Sequence, residues 1–108
     1  MTVNEYQKES IKTRDYGKGE PIIYPALKLN GEAGEVAEKV GKALRDNDGV
    51  FTDEIKLGIA REIGDVLWYC AALSDEIGYT LDEICQLNIE KVQKRREENK
   101  IHGEGDNR

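Results

Sequence analysis

Turn and capping signals divide this chain into helical segments, and they constrain its fold more than any other feature. The run Asp46-Asn47-Asp48-Gly49 consists of turn-forming residues, so a helix that precedes it ends there. Thr80-Leu81-Asp82-Glu83 has the pattern of a capping box, in which a threonine and a later glutamate satisfy free N–H groups at a helix start. Gly78, just before it, favours the end of the preceding helix. Such closely spaced signals leave only short turns between helices.

Four helices follow from these signals and from apolar residues at helical spacing. The sequence predicts helices from Val3 to about Arg14, from Pro25 to about Arg45, from a cap at Thr52 or Asp53 to Ile77, and from Leu81 to about Asn99. Pro25 suits the first turn of a helix, because an N–H group at that position has no partner anyway. No internal repeat or long linker divides the chain. We therefore expect one all-α domain over residues 1–108, a bundle of four helices.

Composition limits what this bundle can bind. Only 38% of its 108 residues are hydrophobic and 35% are charged, so we expect homo-oligomerisation to complete its core. The formal net charge of −6 makes nucleic acid a poor partner. No stretch approaches the roughly 20 apolar residues of a membrane span, and no signal peptide opens the chain. Cys70 and Cys85 lack metal-binding spacing and fit reduced thiols, so we expect a cytoplasmic protein.

Two pairs of acids lie on the second and third predicted helices, three residues apart within each pair. They are Glu32 with Glu35, and Glu62 with Asp65. On a helical wheel at about 100° per residue, Glu62 falls inside the apolar stripe of its helix and Asp65 falls at the border. A carboxylate in such a stripe is costly to desolvate unless it is paired, protonated or bound to a metal.

Antiparallel packing of these two helices by their apolar stripes would bring all four acids to one edge of the shared groove. Four carboxylates repel one another, and a divalent cation relieves that repulsion. Oxygen ligands alone favour Mg²⁺ or Mn²⁺. Alternatively, the acids form surface salt bridges with Lys28, Lys39 or Arg61, which contribute little to stability. The spacing by itself does not separate these two interpretations.

Glycines and a tryptophan indicate further contacts of the same helices. Gly34 and Gly41, inside the second predicted helix, favour close helix packing. Gly31 and Gly64 lie beside acids and leave room for a ligand. Trp68 lies opposite the apolar stripe of the third helix, which predicts a second buried surface and hence a subunit interface in a homodimer or homotetramer.

The residues around the acids form a longer pattern. It comprises Leu29-Asn30-Gly31-Glu32-Ala33-Gly34-Glu35-Val36-Ala37-Glu38, then Glu62-Ile63-Gly64-Asp65-Val66-Leu67-Trp68-Tyr69, then Asn88-x-x-Lys91-x-x-x-Arg95 and the glycine-rich end from Gly103 to Arg108. This ordered combination resembles the all-α nucleoside triphosphate pyrophosphohydrolases of the MazG type, over residues 25–108. One departure is Gly31, where many members carry an additional glutamate. The glycine reduces the local negative charge and puts the number and affinity of bound metals in question.

The resemblance implies Mg²⁺-dependent hydrolysis of a nucleoside or deoxynucleoside triphosphate between its α and β phosphates. The products would be a monophosphate and pyrophosphate, and the role a clean-up of the nucleotide pool. Carried over by position, Glu32, Glu35, Glu62 and Asp65 would be the Mg²⁺ ligands, with Mn²⁺ as a substitute. Glu35 and Glu62 would be the catalytic residues, Glu35 by taking a proton from the attacking water.

The resemblance also implies contacts to the substrate. Lys91 would bind phosphate oxygens as a point charge, helped by Asn88, with Arg95 as a further candidate. Tyr69 lies one turn beyond Asp65 and would stack on a base, although a half-buried tyrosine in the core suits this position equally well.

A rival hypothesis is that the protein has a MazG-like scaffold but no catalytic activity. A non-catalytic helical binding or regulatory module would show no effect of divalent metal on its melting temperature, whereas a ligand of the native state raises it. A di-iron carboxylate bundle is excluded, because it needs Glu-x-x-His motifs and the only histidine is His102, in the tail.

Overall fold

The computed structural model describes residues 1–98, and these residues form the all-α architecture that the sequence predicts. The helices are α1 (Val3–Ile11), α2 (Ile23–Asp46), α3 (Asp53–Glu76) and α4 (Leu81–Glu97). Residues 1–98 contain no strand. None of the helices in this range is both long enough and apolar enough to cross a lipid bilayer. The glycine-rich end from Gly103 to Arg108 lies outside the described residues.

Threonine side chains cap the starts of α1, α3 and α4, and these caps are local. The Oγ1 atom of Thr52 accepts the N–H of Ile55 at 3.2 Å, and that of Thr80 accepts the N–H of Glu83 at 3.2 Å. The Glu83 carboxylate in turn accepts the Thr80 N–H at 2.9 Å, so the predicted capping box is present. Gly78 has a φ angle of +87°, which glycine adopts without steric cost and which ends α3 as predicted.

The end of α1 and the start of α2 differ from the prediction. α1 ends at Ile11 rather than near Arg14, because the N–H groups of Thr13 and Arg14 bond to carbonyls only three residues back, at 3.0 and 3.1 Å. Such bonds tighten the chain into a turn. α2 begins at Ile23, so Pro25 lies inside its first turn, where proline is tolerated.

The long antiparallel hairpin of α2 and α3 is the framework of the molecule. α3 packs on α2, on α1 and on α4, whereas α2 packs on α3 alone within residues 1–98. The buried apolar side chains in this range are mostly small: Pro25, Ala43, Ala71, Ala72 and Leu81. The core of a single copy is therefore limited.

A buried glutamine ties α1 to the turn between α3 and α4. Gln7 is 5% exposed, and its Nε2 donates to the carbonyl oxygens of Ala71 at 3.1 Å and Tyr79 at 3.2 Å. Its Oε1 accepts the N–H of Leu81 at 2.9 Å. That N–H begins α4 and has no partner inside the helix. The side chain thus satisfies polar groups from three parts of the chain.

The segment between α1 and α2 (residues 12–22) returns along the C-terminal half of α3. Arg14 binds the Asp75 carboxylate at 2.6 Å and the Glu76 carboxylate at 3.0 Å. The hydroxyl of Tyr16 donates to Glu76 at 3.4 Å. These contacts hold the segment beside the hairpin.

Candidate metal centre and the cavity beside it

Three of the predicted ligands meet where α2 faces α3. Glu32, Glu35 and Glu62 each offer a carboxylate oxygen, and these oxygens lie within 4.8 Å of one another. We call these three residues the acidic cluster. Oxygen ligands on opposite sides of one Mg²⁺ lie about 4.2 Å apart, since each bond is about 2.1 Å long. A small movement of these side chains would therefore allow all three to bind one ion.

Glu62 is the member of the cluster that most needs a cation. Its side chain is 17% exposed, and its Oε2 atom is buried with no hydrogen-bond partner. Burial raises the pKa of Glu62, and the hydrogen bond and charge of Glu35 raise it further. A buried carboxylate oxygen without a donor is costly, and a bound metal removes that cost. This agrees with the position of Glu62 in the apolar stripe.

The salt-bridge alternative is present in a weak form. Of the three cations considered, Lys39 lies near the cluster, with its Nζ atom 3.8 Å from Oε1 of Glu62. The Lys39 side chain is 44% exposed, and exposed pairs at this distance add little to stability. Lys39 lowers the pKa of Glu62, but the combined effects of burial and Glu35 outweigh it. One lysine therefore does not neutralise three carboxylates.

Asp65 lies apart from the three-acid group, one turn further along α3. It shares a cavity of about 380 Å³ with Glu32 on α2, with two aromatic side chains of α3 and with one residue of the segment between α1 and α2. We call this the aromatic cavity, and its lining residues are Thr13, Glu32, Asp65, Trp68 and Tyr69. The negative charge of Asp65 contributes to raising the pKa of Glu62, so Asp65 is close enough to act on the cluster electrostatically. Glu32 belongs to both the cluster and the cavity.

Aromatic rings form one end of the cavity. The rings of Trp68 and Tyr69 meet edge to face, with centroids 4.9 Å apart and planes at 78°. Tyr24 lies behind Tyr69 at 6.5 Å, and Tyr16 lies 5.4 Å from Tyr24. Tyr69 is half-buried, as the core interpretation predicts, and it also lines the cavity, as the substrate interpretation requires. Burial raises the pKa of its hydroxyl, which remains protonated at neutral pH.

Trp68 contacts the N-terminal part of its own chain. Its Nε1 donates to the hydroxyl of Thr13 at 2.9 Å, and a subunit interface on this surface of α3 stays a prediction. Helical periodicity placed Trp68 opposite the apolar stripe but carried no information about what covers it. Trp68 and Thr13 are cavity residues that the sequence did not identify.

The glycine predictions are corrected in part. Nothing lies within 4 Å of a Cβ placed on Gly34 or Gly41, so the predicted close packing is wrong for the chain described here. A Cβ placed on Gly31 or Gly64 also meets nothing within 4 Å, so these two glycines leave open space beside the acids as expected. The carbonyl of Gly64 accepts a long hydrogen bond of 3.5 Å from the Tyr6 hydroxyl.

The predicted phosphate-binding residues lie on a different part of the molecule. Asn88 is exposed, Lys91 is half-buried and Arg95 is buried, all on α4. That helix packs on α1 and α3 and, within the described chain, makes no contact with α2. None of the three residues lines the aromatic cavity. A single copy does not bring them to the acidic cluster.

Comparison with known proteins assigns the chain to a family. The model of the MazG nucleotide pyrophosphohydrolase domain matches residues 25–99, so the chain belongs to the MazG family. It is also 42% identical over 114 residues to the gene 37 protein of Mycobacterium phage L5, with both chains covered completely. No solved structure matches the chain. Helix α1 and the segment that follows it lie outside the matched region.

Proposed function

We propose that this protein hydrolyses a nucleoside or deoxynucleoside triphosphate between the α and β phosphates, releasing a monophosphate and pyrophosphate. The observation that carries the proposal is the buried Oε2 atom of Glu62, which has no hydrogen-bond partner beside two further carboxylates. Membership of the MazG family supplies the reaction class. Removal of unwanted nucleotides from the cellular pool is the corresponding role.

The acidic cluster would hold Mg²⁺, or Mn²⁺ in its place, through Glu32, Glu35 and Glu62, with Asp65 as the fourth ligand. These residues supply oxygen donors only, which suits both ions. A bound divalent ion neutralises phosphate charge and lowers the pKa of a coordinated water. Side chains of the protein would carry out the remaining steps. Glu35 is exposed and would accept the water's proton, while the less exposed Glu62 would keep the cluster in position.

Tyr69 would contact the base, and Asn88, Lys91 and Arg95 would contact the phosphates. Because α4 does not reach the cavity in one copy, the phosphate contacts need either a movement of α4 or a second copy of the chain. Lys39 is a nearer cation. Its Nζ atom lies 3.8 Å from Glu62, so Lys39 would be within reach of a phosphate oxygen bound at the cluster.

We also propose that a second copy covers exposed apolar side chains of the hairpin. These include Leu44, Ile63 and Leu67, which are 61%, 47% and 48% exposed. Light scattering after gel filtration should show a dimer or tetramer that Leu67→Glu dissociates and Val3→Glu does not. A monomeric wild type would contradict the proposal.

Pyrophosphate release from a panel of nucleoside triphosphates, with and without Mg²⁺, tests the activity directly. Glu62→Gln keeps the shape of the side chain but removes its charge, and we expect at least about a hundredfold loss of activity. Glu38→Gln is the matched control, because Glu38 is an exposed acid on α2 outside the cluster. Unchanged hydrolysis by Glu62→Gln would overturn the site. No hydrolysis of any nucleotide would favour the non-catalytic module.

A further inference from the structure

We propose that the segment between α1 and α2 sets the base preference of the aromatic cavity, by holding Trp68 in place through Thr13. The segment lies outside the residues that match the family domain. The inference rests on the proposed function, since the base is part of the nucleotide whose phosphates the acidic cluster would bind.

The hydroxyl of Thr13 is used in both directions. It accepts the Nε1–H of Trp68 at 2.9 Å and donates to the carbonyl oxygen of Ser10 at 2.8 Å. The indole has a single N–H group, and this bond satisfies it. This bond restrains the orientation of the indole, which lines the cavity. Thr13 acts through Trp68 and is a positioning residue.

The segment that carries Thr13 is itself anchored. The guanidinium of Arg14, the next residue, bonds to Asp75 and Glu76 on α3 at 2.6 and 3.0 Å. The Thr13 hydroxyl and the Trp68 indole are therefore held on a common support, the C-terminal half of α3. One wall of the cavity is therefore built from residues 55 positions apart in the sequence.

The shape and chemistry of the cavity suit the base of a nucleotide. Its volume of about 380 Å³ lies in the range of small-molecule sites. The perpendicular rings of Trp68 and Tyr69 offer one surface for stacking and a second against the edge of a planar ligand. Glu32 lines the cavity and also belongs to the acidic cluster. One nucleotide can therefore place its base on the rings and its phosphates at the cluster.

Trp68 is the only tryptophan in the chain, so its fluorescence reports on the cavity directly. The experiment titrates the full-length protein with the eight common nucleoside and deoxynucleoside monophosphates, the products of the proposed reaction. Pyrophosphate serves as the ligand without a base. We expect at least one monophosphate to quench Trp68, with affinity that depends on the base, and pyrophosphate to leave the indole emission unchanged.

Two substitutions of Thr13 form a matched pair. Thr13→Val removes the hydroxyl at nearly constant volume, and we expect affinity for the preferred monophosphate to fall roughly five- to tenfold, with weaker discrimination between bases. Thr13→Ser keeps the hydroxyl and should restore both to within about twofold of wild type. In hydrolysis assays, Thr13→Val should raise KM and change kcat little. A purely structural role for Thr13 would not produce this serine rescue together with altered base preference.

The outcomes separate this inference from the proposed function. Hydrolysis with equal affinities and base preference in Thr13→Val and wild type would overturn the inference and leave the function standing. Base-dependent quenching without hydrolysis would overturn the proposed function and leave the inference standing. If Thr13→Val does not fold, Trp68→Phe decides, because it keeps a ring but lacks the N–H group. Calorimetric titration of that variant should show altered base preference, and an unchanged preference would overturn the inference.

Discussion

Gln7 and Glu62 are both largely shielded polar residues of this small helical protein, and they are treated in opposite ways. Both Nε2 and Oε1 of Gln7 bond to backbone groups, and these bonds join α1 to α3 and α4. Glu62 faces other carboxylates and has an oxygen without a donor. A satisfied polar group stabilises the fold, whereas a buried unsatisfied one is costly until a donor, a water or an ion binds it. The difference separates the structural end of the molecule from its candidate site.

The largest expected effect on stability comes from removing the satisfied group. Gln7→Leu keeps the volume but leaves the Leu81 N–H and two carbonyl oxygens without their partner. We expect the free energy of unfolding to fall by roughly 2–4 kcal/mol, measured by urea or thermal denaturation. Gln86→Leu is the control, because Gln86 is exposed and bonds only to Glu90 on the surface of α4. A loss of similar size in the control would show that the buried hydrogen bonds of Gln7 contribute no more to the free energy of unfolding than a surface bond does.

Removing the unsatisfied charge should act in the opposite direction. Without metal, Glu62→Gln relieves repulsion from Glu35, so its melting temperature at neutral pH should exceed that of wild type. Added Mg²⁺ should raise the melting temperature of wild type by several degrees and that of Glu62→Gln much less. Equal effects of Mg²⁺ on both proteins would mean that the ion binds elsewhere.

The pH dependence follows from the same residue. The pKa of Glu62 is raised above its ordinary value of 4.5, so the folded protein holds this proton more tightly than the unfolded chain. The resulting stabilisation is complete below the ordinary value and is lost as pH rises through the raised one. The metal-free wild type should therefore lose more stability than Glu62→Gln between mildly acidic and neutral pH. Parallel melting curves across that interval would contradict the shift.

A smaller effect tests the support behind the cavity. Arg14→Gln removes two ion pairs to α3, and because the three side chains are only 16–39% exposed, we expect a loss of about 1 kcal/mol. Lys12→Gln is the matched control, since Lys12 pairs with Glu9 on the open surface with exposed fractions of 69% and 59%. Its effect on urea denaturation should be close to zero. Equal losses for both variants would show that burial of the Arg14 pairs contributes nothing.

The smallest expected effect concerns the two thiols. Burial raises the pKa of the half-buried Cys70, which lies on α3 between Glu62 and the contacts of Gln7, whereas Cys85 is exposed. The thiolate is the reactive form, so alkylation should modify Cys85 first and Cys70 more slowly, with the rate at Cys70 rising at higher pH than usual. Mass spectrometry of timed samples measures both rates. Faster modification of Cys70 would show that α3 opens locally.

The helices were predictable because their signals are local. Thr80 and Glu83 cap α4 through bonds across three residues, and Gly78 ends α3 by its own backbone freedom. The place of Glu62 among apolar residues followed equally from helical periodicity. The four-acid site was predictable only in part. The structure brings three of the acids together, whereas Asp65 lies one turn further along α3. Helical periodicity does not specify how far one helix is shifted along the other.

The sequence by itself determined that the chain forms four helices and where the capped ones begin, which family the motif resembles, and which acid is costly to bury. Each of these depends on residues within a few turns of one another. Only the tertiary structure decided that Glu32 belongs to both cluster and cavity, that α4 carries its candidate residues away from both, and that Trp68 is held by Thr13. These contacts join distant segments, and the angle and offset at which helices pack determine them. Helical periodicity contains neither quantity.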